Sequence, residues 1–269
     1  MNFGVIGHPI GHSLSPIMHA SNFEALERDD QYIALDIPPQ NFNHIKDIIS
    51  EKELDGFNIT IPHKESIIPY LDEVSTSAQH IGAVNTVVIQ DGKWIGYNTD
   101  GIGFVNGLIN KYGSIKDKKI LVLGAGGASK GIVSEMMKFT DSKITVANRS
   151  LNRFDNWQLA IDAKDLNAIK PILNQFDIII NTTPVGMNET ESELIIPVEH
   201  INKNALVCDI IYIPEKTPFL QACEQEGLSI YNGLDMFVYQ GAESFKIWTK
   251  QEANINTMRN KVQEELKRR

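Results

Sequence analysis

Cysteine is scarce in this chain: only Cys208 and Cys223 occur among its 269 residues. Two cysteines are too few for a disulfide framework, and their separation does not match the spacing of metal ligands. We therefore interpret both as buried or neutral thiols in a reducing compartment, and we expect no metal site.

Long apolar runs are also missing. No run reaches the ~18 residues that a membrane-spanning helix needs, and the first residues do not resemble a signal peptide. We expect a cytoplasmic protein with no membrane partner.

Basic residues are outnumbered by acidic ones. Lysine and arginine together number 25, aspartate and glutamate number 34, and the formal net charge is -9. This balance argues against non-specific binding to nucleic acid, which needs a basic face, but it allows a local basic pocket for a small anion. We expect a small-molecule substrate and no nucleic-acid partner, and the sequence allows either a monomer or a homodimer.

What the sequence does contain is an alternation of strand and helix patterns in two series, the second of which begins near residue 116. Asp91-Gly92 between two apolar strands predicts a two-residue hairpin. The predicted strands are 2–7, 31–37, 56–61, 83–90, 93–98, 118–124, 143–149, 176–184, 204–212 and 228–233, and the predicted helices are 15–27, 42–52, 101–110, 219–227, 235–249 and 256–269. Alternation of this kind implies parallel pairing, so we predict an α/β protein of two closely packed units with a ligand cleft between them.

The segment LVLGAGGASKG carries a strand, a glycine turn and a helix start in that order. Gly124, Gly126 and Ser129 match the G-x-G-x-x-G/A spacing of dinucleotide-binding turns, except that serine stands at the third place. The first glycine makes the tight turn, the second admits a pyrophosphate, and the phosphates would lie on the helix N-terminus. The alternative is a purely structural glycine turn.

The end of the following strand favours NADP over NAD. NAD-binding turns usually place Asp or Glu there to hold the ribose 2′-hydroxyl, whereas this chain has Asn148, Arg149, Ser150 and Arg153. Two guanidinium groups and a hydroxyl suit a 2′-phosphate, which a carboxylate would repel. The alternative is a solvated face of Arg149 and Arg153 at a helix start, which is a poor place for cations.

The loop after the first strand carries two serines, Ser13 and Ser15. Pro16 suits the first position of a helix and Ser15 its N-cap, which leaves Ser13 without a capping role. Two hydroxyls beside a helix N-terminus can hold a small carboxylate.

Further polar residues lie near predicted strand ends. Asn58 and Thr60 alternate with apolar residues and therefore share one face, although a half-exposed strand would show the same pattern. Asn85 follows at the start of a later strand. Hydroxyls and amides of this kind suit a polyhydroxylated acid.

Lys64 lies in the stretch GFNITIPHKESI, where a helix is predicted to begin and where the helix dipole disfavours a cation. Asp100 could simply cap the helix that begins at Gly101. A hydride-transfer enzyme also needs a group that gives or takes the hydroxyl proton, and Lys64 and Asp100 are the pair in this set that could do so.

Together these segments resemble a known family. The matching segments are SLSP, NITIPHK, GAVNT, GYNTDG, GAGGA, NRS with Arg153, NTTPVGM, DIIYIP and YQGAESF. In order and spacing, and almost from end to end, they are similar to the shikimate dehydrogenases of aromatic amino-acid biosynthesis. The resemblance implies reversible reduction of 3-dehydroshikimate to shikimate with NADPH.

The resemblance also implies a domain organisation. Residues 1–103 with 237–269 would form an α/β substrate-binding and catalytic domain closed by the C-terminal helices. Residues 104–236 would form a Rossmann-type, doubly wound NADP-binding domain.

The family pattern assigns roles to individual residues. It implies that Lys64 is the general acid/base and Asp100 its catalytic partner, with no metal. The implied substrate-binding residues are Ser13, Ser15, Asn58, Thr60, Asn85, Tyr212 and Gln240. The implied cofactor-binding residues are Gly124, Ala125, Gly126, Gly127, Ala128, Asn148, Arg149, Ser150, Arg153, Thr182, Met187 and Gly233.

Two alternatives remain beside this interpretation. A quinate/shikimate dehydrogenase of broader specificity would share most of the pattern, although both serines of SLSP favour shikimate. A non-catalytic NADP-binding sensor would be expected to lack Lys64 or Asp100, and both are present. Phe154 stands where the family usually has a small residue, which could alter packing near the adenine, and Ser150 keeps the hydroxyl of the more frequent threonine.

Overall fold

The computed structural model describes residues 1–187 and 194–268. The chain divides into two compact units, Met1–Gly103 with Val238–Arg269 and Phe104–Phe237. Each unit is built on its own sheet. Within the described ranges, no helix is both long enough and apolar enough to cross a bilayer.

The first unit contains a six-stranded sheet in the order β2-β1-β3-β5-β6-β4. The elements up to the end of this sheet are β1 (Asn2–Gly7), α1 (Ser15–Ala25), β2 (Gln31–Asp36), α2 (Ile45–Glu51), β3 (Gly56–Ile59), β4 (Glu73–Val74), α3 (Thr76–Ile81), β5 (Thr86–Gln90) and β6 (Lys93–Tyr97). The next helix, α4 (Asp100–Tyr112), begins in the first unit and continues into the second. β1 pairs in parallel with β2 and β3, whereas β5 runs antiparallel to β3 and β6.

Both faces of this sheet are covered. Successive residues of a strand point to opposite faces, so Val5 packs in one apolar cluster with Trp248, and Ile6 packs in another with Ile45. In a sheet that is buried on both faces, polar side chains can reach a ligand only at the edges and at the ends of the strands.

The second unit contains a parallel sheet in the order β12-β11-β10-β7-β8-β9. Its elements are β7 (Ile120–Leu123), α5 (Gly127–Met136), β8 (Thr145–Asn148), β9 (Asp162–Asp165), β10 (Ile178–Asn181), β11 (Leu206–Asp209), α6 (Pro218–Gln225) and β12 (Ser229–Tyr231). Strand order proceeds in one direction from β7 to β9 and in the other from β10 to β12. This reversal is the mark of a doubly wound sheet, and ligands bind at the carboxyl ends of the strands that flank it. The predicted α/β class is confirmed.

Two helices close the chain, α7 (Leu234–Thr249) and α8 (Ile255–Leu266). The segments folded as 3-10 helices are Pro39–His44, Ile68–Tyr70, Leu151–Phe154 and Lys170–Gln175. The predicted helix 42–52 is therefore shorter, since its first turn is a 3-10 helix. Arg269, at the end of the predicted last helix, lies outside the described residues.

The predicted hairpin is confirmed. Gln90 pairs with Lys93 across the turn, and Asp91 and Gly92 have φ angles of 52° and 76°. Positive φ at both central residues defines the turn whose twist suits a two-residue hairpin.

The predicted helix start at Lys64 is wrong. Residues 61–67 form turns, and only the three-residue 3-10 helix Ile68–Tyr70 follows. The Lys64 carbonyl accepts the Val84 N–H at 2.8 Å, so it is engaged outside its own segment. Pro69 in addition has no N–H for a helical bond and would clash with the carbonyl four residues earlier. The lysine consequently lies in a turn and not at a helix N-terminus.

The predicted N-cap role of Ser15 is also wrong. Ser15 is the first residue of α1, Leu14 precedes it, and the cap position makes no side-chain hydrogen bond. Ser13 Oγ instead accepts the Ser15 N–H at 3.3 Å. Ser13, which was expected to have no capping role, therefore binds the first N–H group of α1.

Three short elements were not predicted. β4 and α3 have two and six residues, and β9 has the sequence DAKD. β9 is the edge strand of its sheet, where charged side chains block pairing with other chains. A charged edge strand lacks the apolar pattern by which strands are recognised in a sequence.

Candidate active site

The topology of the first sheet brings three predicted site residues to one edge. Lys64 follows β3, Asn85 immediately precedes β5, and Asp100 follows β6. Because β5 is antiparallel to both neighbours, its amino end meets the carboxyl ends of β3 and β6. Residues that are 15 to 36 positions apart therefore come into hydrogen-bonding contact.

Lys64 and Asp100 form the ion pair at the centre of this edge. Lys64 Nζ lies 2.5 Å from Asp100 Oδ2, and Asn85 Nδ2 donates to Asp100 Oδ1 at 2.8 Å. The side chain of Asp100 is 9% exposed and that of Lys64 is 29% exposed. The carboxylate thus receives the ammonium on one oxygen and an amide N–H on the other, and these two contacts fix its orientation. The lysine is the more exposed member of the pair.

The Asn85 amide has a defined orientation. Its Oδ1 accepts the backbone N–H of Thr99 at 2.8 Å, and a backbone N–H can only donate. Nδ2 must therefore face the other way, toward Asp100 Oδ1 and Thr99 Oγ1, the latter at 3.0 Å.

Asn58 belongs to the same network and is buried. Its Oδ1 accepts from the Tyr32 hydroxyl at 2.7 Å. Its Nδ2 lies 3.1 Å from the Asn85 carbonyl, 3.1 Å from Thr86 Oγ1 and 2.9 Å from Ser244 Oγ. Sequence reasoning missed Thr86 and Ser244. A signal for Ser244 exists, because it lies four residues after Gln240 on a predicted helix and such residues share a face.

The serine loop and the segment after β3 flank this network. Ser15 is buried, and its hydroxyl interacts with that of Tyr32. Ser13 and Thr60 are half-buried, and the Thr60 N–H donates to the Ile6 carbonyl at 2.9 Å.

Gln240 is placed by a close approach of two helices. A Cβ on Gly103 of α4 would lie 2.6 Å from the backbone nitrogen of Gln240 on α7. Only glycine permits this contact, so Gly103 fixes how near the Gln240 turn of α7 comes to the start of α4.

In the second unit, the glycine turn follows β7 as predicted. Gly124 has φ of 107°, and a Cβ there would lie 2.7 Å from Thr182 Oγ1. Ser129 Oγ donates to the Gly124 carbonyl at 2.7 Å. The serine at the third position of the glycine spacing therefore closes the turn with a hydrogen bond, besides being small.

The surface of this turn is open. A Cβ on Gly126 would meet nothing within 4 Å, and Gly126 and Gly127 are exposed at the start of α5, with Ala125 and Ala128 half-buried beside them. β7 and β10 are neighbours, so Gly124 and Thr182 meet at the point where the strand order reverses. Backbone N–H groups at a helix start beside a glycine that leaves space fit the pyrophosphate of a dinucleotide.

The segment after β8 is a compact cationic turn. Asn148 Nδ2 and the Arg153 N–H both donate to the Ser150 carbonyl, at 3.0 and 3.2 Å. Arg149, Ser150 and Arg153 are exposed, and Leu151–Phe154 is a four-residue 3-10 helix. The side chains available there are cations and a hydroxyl with no carboxylate before Asp155, which fits the 2′-phosphate of NADP better than the 2′-hydroxyl of NAD.

Three more residues of the second unit were predicted to belong to the site, namely Tyr212, Gly233 and Met187. The Tyr212 ring stacks on Phe237 with centroids 4.8 Å apart. A Cβ on Gly233 would lie 1.9 Å from the Ile210 carbonyl oxygen, so no other residue fits there without a backbone shift. Met187 is 50% exposed.

Phe154, the residue that departs from the family pattern, packs inward. It is partly buried against the apolar core of the second unit, and its ring meets that of Trp157 edge-on at 5.4 Å. In residues 1–187 and 194–268, no cluster of three or more His, Cys, Asp or Glu side chains could hold a metal ion.

Family models match three consecutive parts of the chain. Residues 5–87 match the shikimate dehydrogenase substrate binding domain, residues 108–212 match shikimate/quinate 5-dehydrogenase, and residues 233–263 match the shikimate 5′-dehydrogenase C-terminal domain.

Individual proteins match over nearly the full length. The chain is 59% identical over 267 residues to a shikimate dehydrogenase (NADP(+)) of Staphylococcus aureus strain MRSA252, covering 99% of both chains. A solved shikimate dehydrogenase in complex with NADP+ is 39% identical, with a TM-score of 0.90 over 98% of this chain and 95% of that one. The enzyme of Thermus thermophilus, solved with NADP(H) and shikimate, is 32% identical, with a TM-score of 0.89 over 98% and 99%. The chain therefore belongs to the shikimate dehydrogenase family.

Proposed function

We propose that this chain catalyses the reversible NADPH-dependent reduction of 3-dehydroshikimate to shikimate, with Lys64 as general acid/base and Asp100 as its partner. One observation carries the assignment of roles: Lys64 Nζ lies 2.5 Å from Asp100 Oδ2 while Asn85 holds the other carboxylate oxygen. The pair is present, oriented and partly accessible in a member of a family of oxidoreductases.

When bound, NADPH supplies the hydride that reduces the C3 carbonyl carbon. The Lys64 ammonium donates a proton to the carbonyl oxygen as that oxygen becomes an alkoxide. Asp100 holds the ammonium in place and accepts a hydrogen bond from a neighbouring substrate hydroxyl. In the oxidative direction, neutral Lys64 accepts the proton of the C3 hydroxyl.

The substrate is held by the first unit. Ser13 and Ser15, beside the start of α1, are assigned to the substrate carboxylate, because hydroxyls and N–H groups at a helix start suit an anion. The residues assigned to the ring hydroxyls or the carboxylate region are Asn58, Thr60, Asn85 and Gln240. Tyr212, which belongs to the second unit, is assigned to the boundary between substrate and cofactor.

The cofactor is held by the second unit. The exposed turn of α5 takes the pyrophosphate, with Gly126 leaving room for close approach. Arg149, Ser150 and Arg153 take the 2′-phosphate. The other residues assigned to NADP are Gly124, Ala125, Gly127, Ala128, Asn148, Thr182, Met187 and Gly233. Substrate binding and catalysis are thus assigned to residues 1–103 with 237–269, and NADP binding to residues 104–236.

We also infer a cytoplasmic location and action without nucleic-acid or membrane partners, as a monomer or homodimer. Cys208 and Cys223 are buried free thiols, and burial raises the pKa of both. Neutral, unpaired thiols fit a reducing compartment.

The test is turnover of shikimate with NADP by the wild type and by Lys64→Ala. Removal of the proton-transfer group should lower kcat by roughly 10²-fold or more while the KM for shikimate changes only a few-fold. Lys93→Ala is the matched control, since Lys93 forms an exposed ion pair with Glu73 at 3.1 Å in the same unit. A large rise in KM with near-normal kcat would leave Lys64 a binding residue only.

The same assay separates the broader-specificity alternative. Rates with shikimate and quinate, each with NADP and with NAD, should favour shikimate with NADP. Comparable kcat/KM values for quinate would assign the chain to the quinate/shikimate group.

A further inference from the structure

Two hydroxyl groups are buried beside the Lys64–Asp100 pair and have no part in the mechanism above. Thr86 and Ser244 are both 0% exposed, and Thr86 Oγ1 lies 2.8 Å from Ser244 Oγ. Thr86 is the first residue of β5, and Ser244 lies on α7, 158 positions away. Their contact joins α7 to the sheet edge that carries the reacting pair.

The hydrogen atoms of this cluster can be accounted for one by one. Ser244 Oγ donates its single hydrogen to the Gln240 carbonyl at 2.9 Å, so toward the other members of the cluster it acts as an acceptor. Thr86 Oγ1 can donate to Asn85 Oδ1 at 2.9 Å or to Ser244 Oγ at 2.8 Å. Asn58 Nδ2 has Ser244 Oγ as the nearer of its two hydroxyl acceptors, at 2.9 Å against 3.1 Å for Thr86.

Asn58 and Asn85 donate their side-chain amide hydrogens to acceptors within the protein. Asn85 gives both to Thr99 Oγ1 and Asp100 Oδ1. Asn58 has three acceptors within the fold for two hydrogens. In this arrangement the N–H groups of both amides hold other protein groups in place. The Ser244 and Thr86 hydroxyls are among the groups that hold the amides, beside Tyr32 and Thr99.

We propose that Ser244, together with Thr86, is a positioning residue for the reaction: the two hydroxyls fix the Asn58 and Asn85 amides, and through them the Asp100 carboxylate and the Lys64 ammonium. This inference rests on the proposed function. Ser244 also bonds to the carbonyl of Gln240, so one hydroxyl links the reacting pair to a residue assigned to the substrate. Partly satisfied buried networks are costly, so loss of one hydroxyl should loosen the whole arrangement.

The experiment compares Ser244→Ala, Thr86→Val and the double variant in shikimate oxidation with NADP. Each single variant should lower kcat by roughly tenfold, because small displacements of reacting groups have effects of this order or larger. The double variant should lose little more than either single variant, since both remove the same contact. The KM for NADP should stay within about twofold of the wild type in all three. Thr86→Ser keeps the hydroxyl and should retain most of the wild-type kcat.

The pH profile and a matched control distinguish the proposed positioning role of Ser244 from a purely structural role. Thr249→Ala removes the same kind of bond from α7, since Thr249 Oγ1 donates to the Phe245 carbonyl at 2.8 Å, but Thr249 lies outside the network. We expect Ser244→Ala to shift the pH profile of kcat for shikimate oxidation by about half a pH unit or more, and Thr249→Ala to leave it in place.

Several outcomes of the kinetic experiments would overturn the inference. One is a wild-type kcat and pH profile in both Ser244→Ala and Thr86→Val, and another is a fully multiplicative loss of kcat in the double variant. A loss of kcat in Thr86→Ser as large as in Thr86→Val would also contradict it, as would a shift of the pH profile in Thr249→Ala as large as in Ser244→Ala. Variants that lower only the thermal midpoint and not kcat per folded molecule also contradict it. A wild-type chain that does not oxidise shikimate overturns the proposed function and this inference together, whereas an active wild type with indifferent variants overturns the inference alone.

Discussion

Replacing His19 by phenylalanine should make the first unit markedly more resistant to acid. His19 is 0% exposed, and among the described residues neither ring nitrogen has a hydrogen-bond partner. Its ring stacks on Tyr32 at 4.3 Å, with Trp248 5.5 Å away. An imidazolium there would lose its hydration without gaining a partner, and burial accordingly lowers the pKa of His19 to about 3.

The sign and size of the effect follow from proton linkage. In the unfolded chain His19 titrates near its ordinary value of 6.5. Between pH 6.5 and about 3, His19 is protonated in the unfolded state but neutral in the folded state. The free energy of unfolding therefore falls as the pH falls. Each pH unit in this window costs ~1.4 kcal/mol, which gives about 2 kcal/mol between pH 6.5 and 5. A domain is stable by only about 5–15 kcal/mol, so this loss is measurable.

Urea unfolding followed by tryptophan fluorescence measures this difference. The chain has three tryptophans, and in a Trp157→Phe background only Trp94 and Trp248 remain, both in the first unit. Wild type should lose about 2 kcal/mol more than His19→Phe between pH 6.5 and 5. His44→Gln is the control, because the His44 side chain is 64% exposed and its replacement should leave the wild-type pH dependence unchanged.

Equal pH dependence in wild type and His19→Phe would mean that burial does not keep His19 neutral in the folded chain. Phenylalanine is larger than histidine, and a Cβ on Gly241 would already lie 3.4 Å from Nε2, so space around the ring is limited. His19→Leu therefore serves as a second variant. It also removes the titrating group, and its slope between pH 6.5 and 5 should match that of His19→Phe.

Three further predictions concern the second unit. Arg149→Ala and Arg153→Ala should each raise the KM for NADP by about tenfold or more, because a hydrogen bond to a charged group contributes about 1.5–3 kcal/mol. The KM for NAD should change little, since NAD has no 2′-phosphate. An equal rise in the KM for NAD would contradict recognition of the 2′-phosphate by these arginines. Gly126→Ala should keep its thermal midpoint, since its Cβ meets nothing within 4 Å, yet raise the KM for NADP, because the methyl group occupies the space that the pyrophosphate needs. Gly233→Ala should instead lower the midpoint by several degrees, because its Cβ would lie 1.9 Å from the Ile210 oxygen, and an unchanged midpoint in differential scanning would show that this backbone yields easily.

Local chemistry allowed some elements to be predicted from the sequence. Asp91 and Gly92 tolerate the positive φ that a two-residue hairpin requires, and both adopt it. Gly124 follows a buried apolar strand and precedes a helix, and the glycine turn lies there. In these cases the residues that determine the structure are neighbours in the chain.

The Lys64 turn shows why another local prediction failed. Nothing near Lys64 in the sequence indicates that its carbonyl is bound by Val84, 20 residues away, at 2.8 Å. That bond and Pro69 together replace the expected helix by turns. The lysine is positioned by its bond to Asp100 and by this turn, so its proposed role needs no helix dipole.

The polar network was out of reach for a similar reason. Asn58 contacts Ser244 across 186 positions, and the sequence alone shows only that each is a polar residue on a patterned strand or helix. A polar residue in an apolar pattern predicts a half-exposed surface as readily as a buried network. The family resemblance identified Asn58 and Gln240 but not the hydroxyls that bond to them.

The two parts of the proposed site are built on different physical terms. Asp100 and Asn85 are almost fully buried in a network of hydrogen bonds within the protein, so the pair proposed for proton transfer is oriented by the first unit itself. Arg149 and Arg153 are exposed, and their long side chains must be immobilised when a 2′-phosphate binds. Substitutions in the network should therefore act mainly on kcat, and substitutions of the arginines mainly on the KM for NADP. A Ser244→Ala enzyme that lost NADP affinity while keeping its kcat would reverse this division, because it would mean that the buried network supports the cofactor and not the reacting pair.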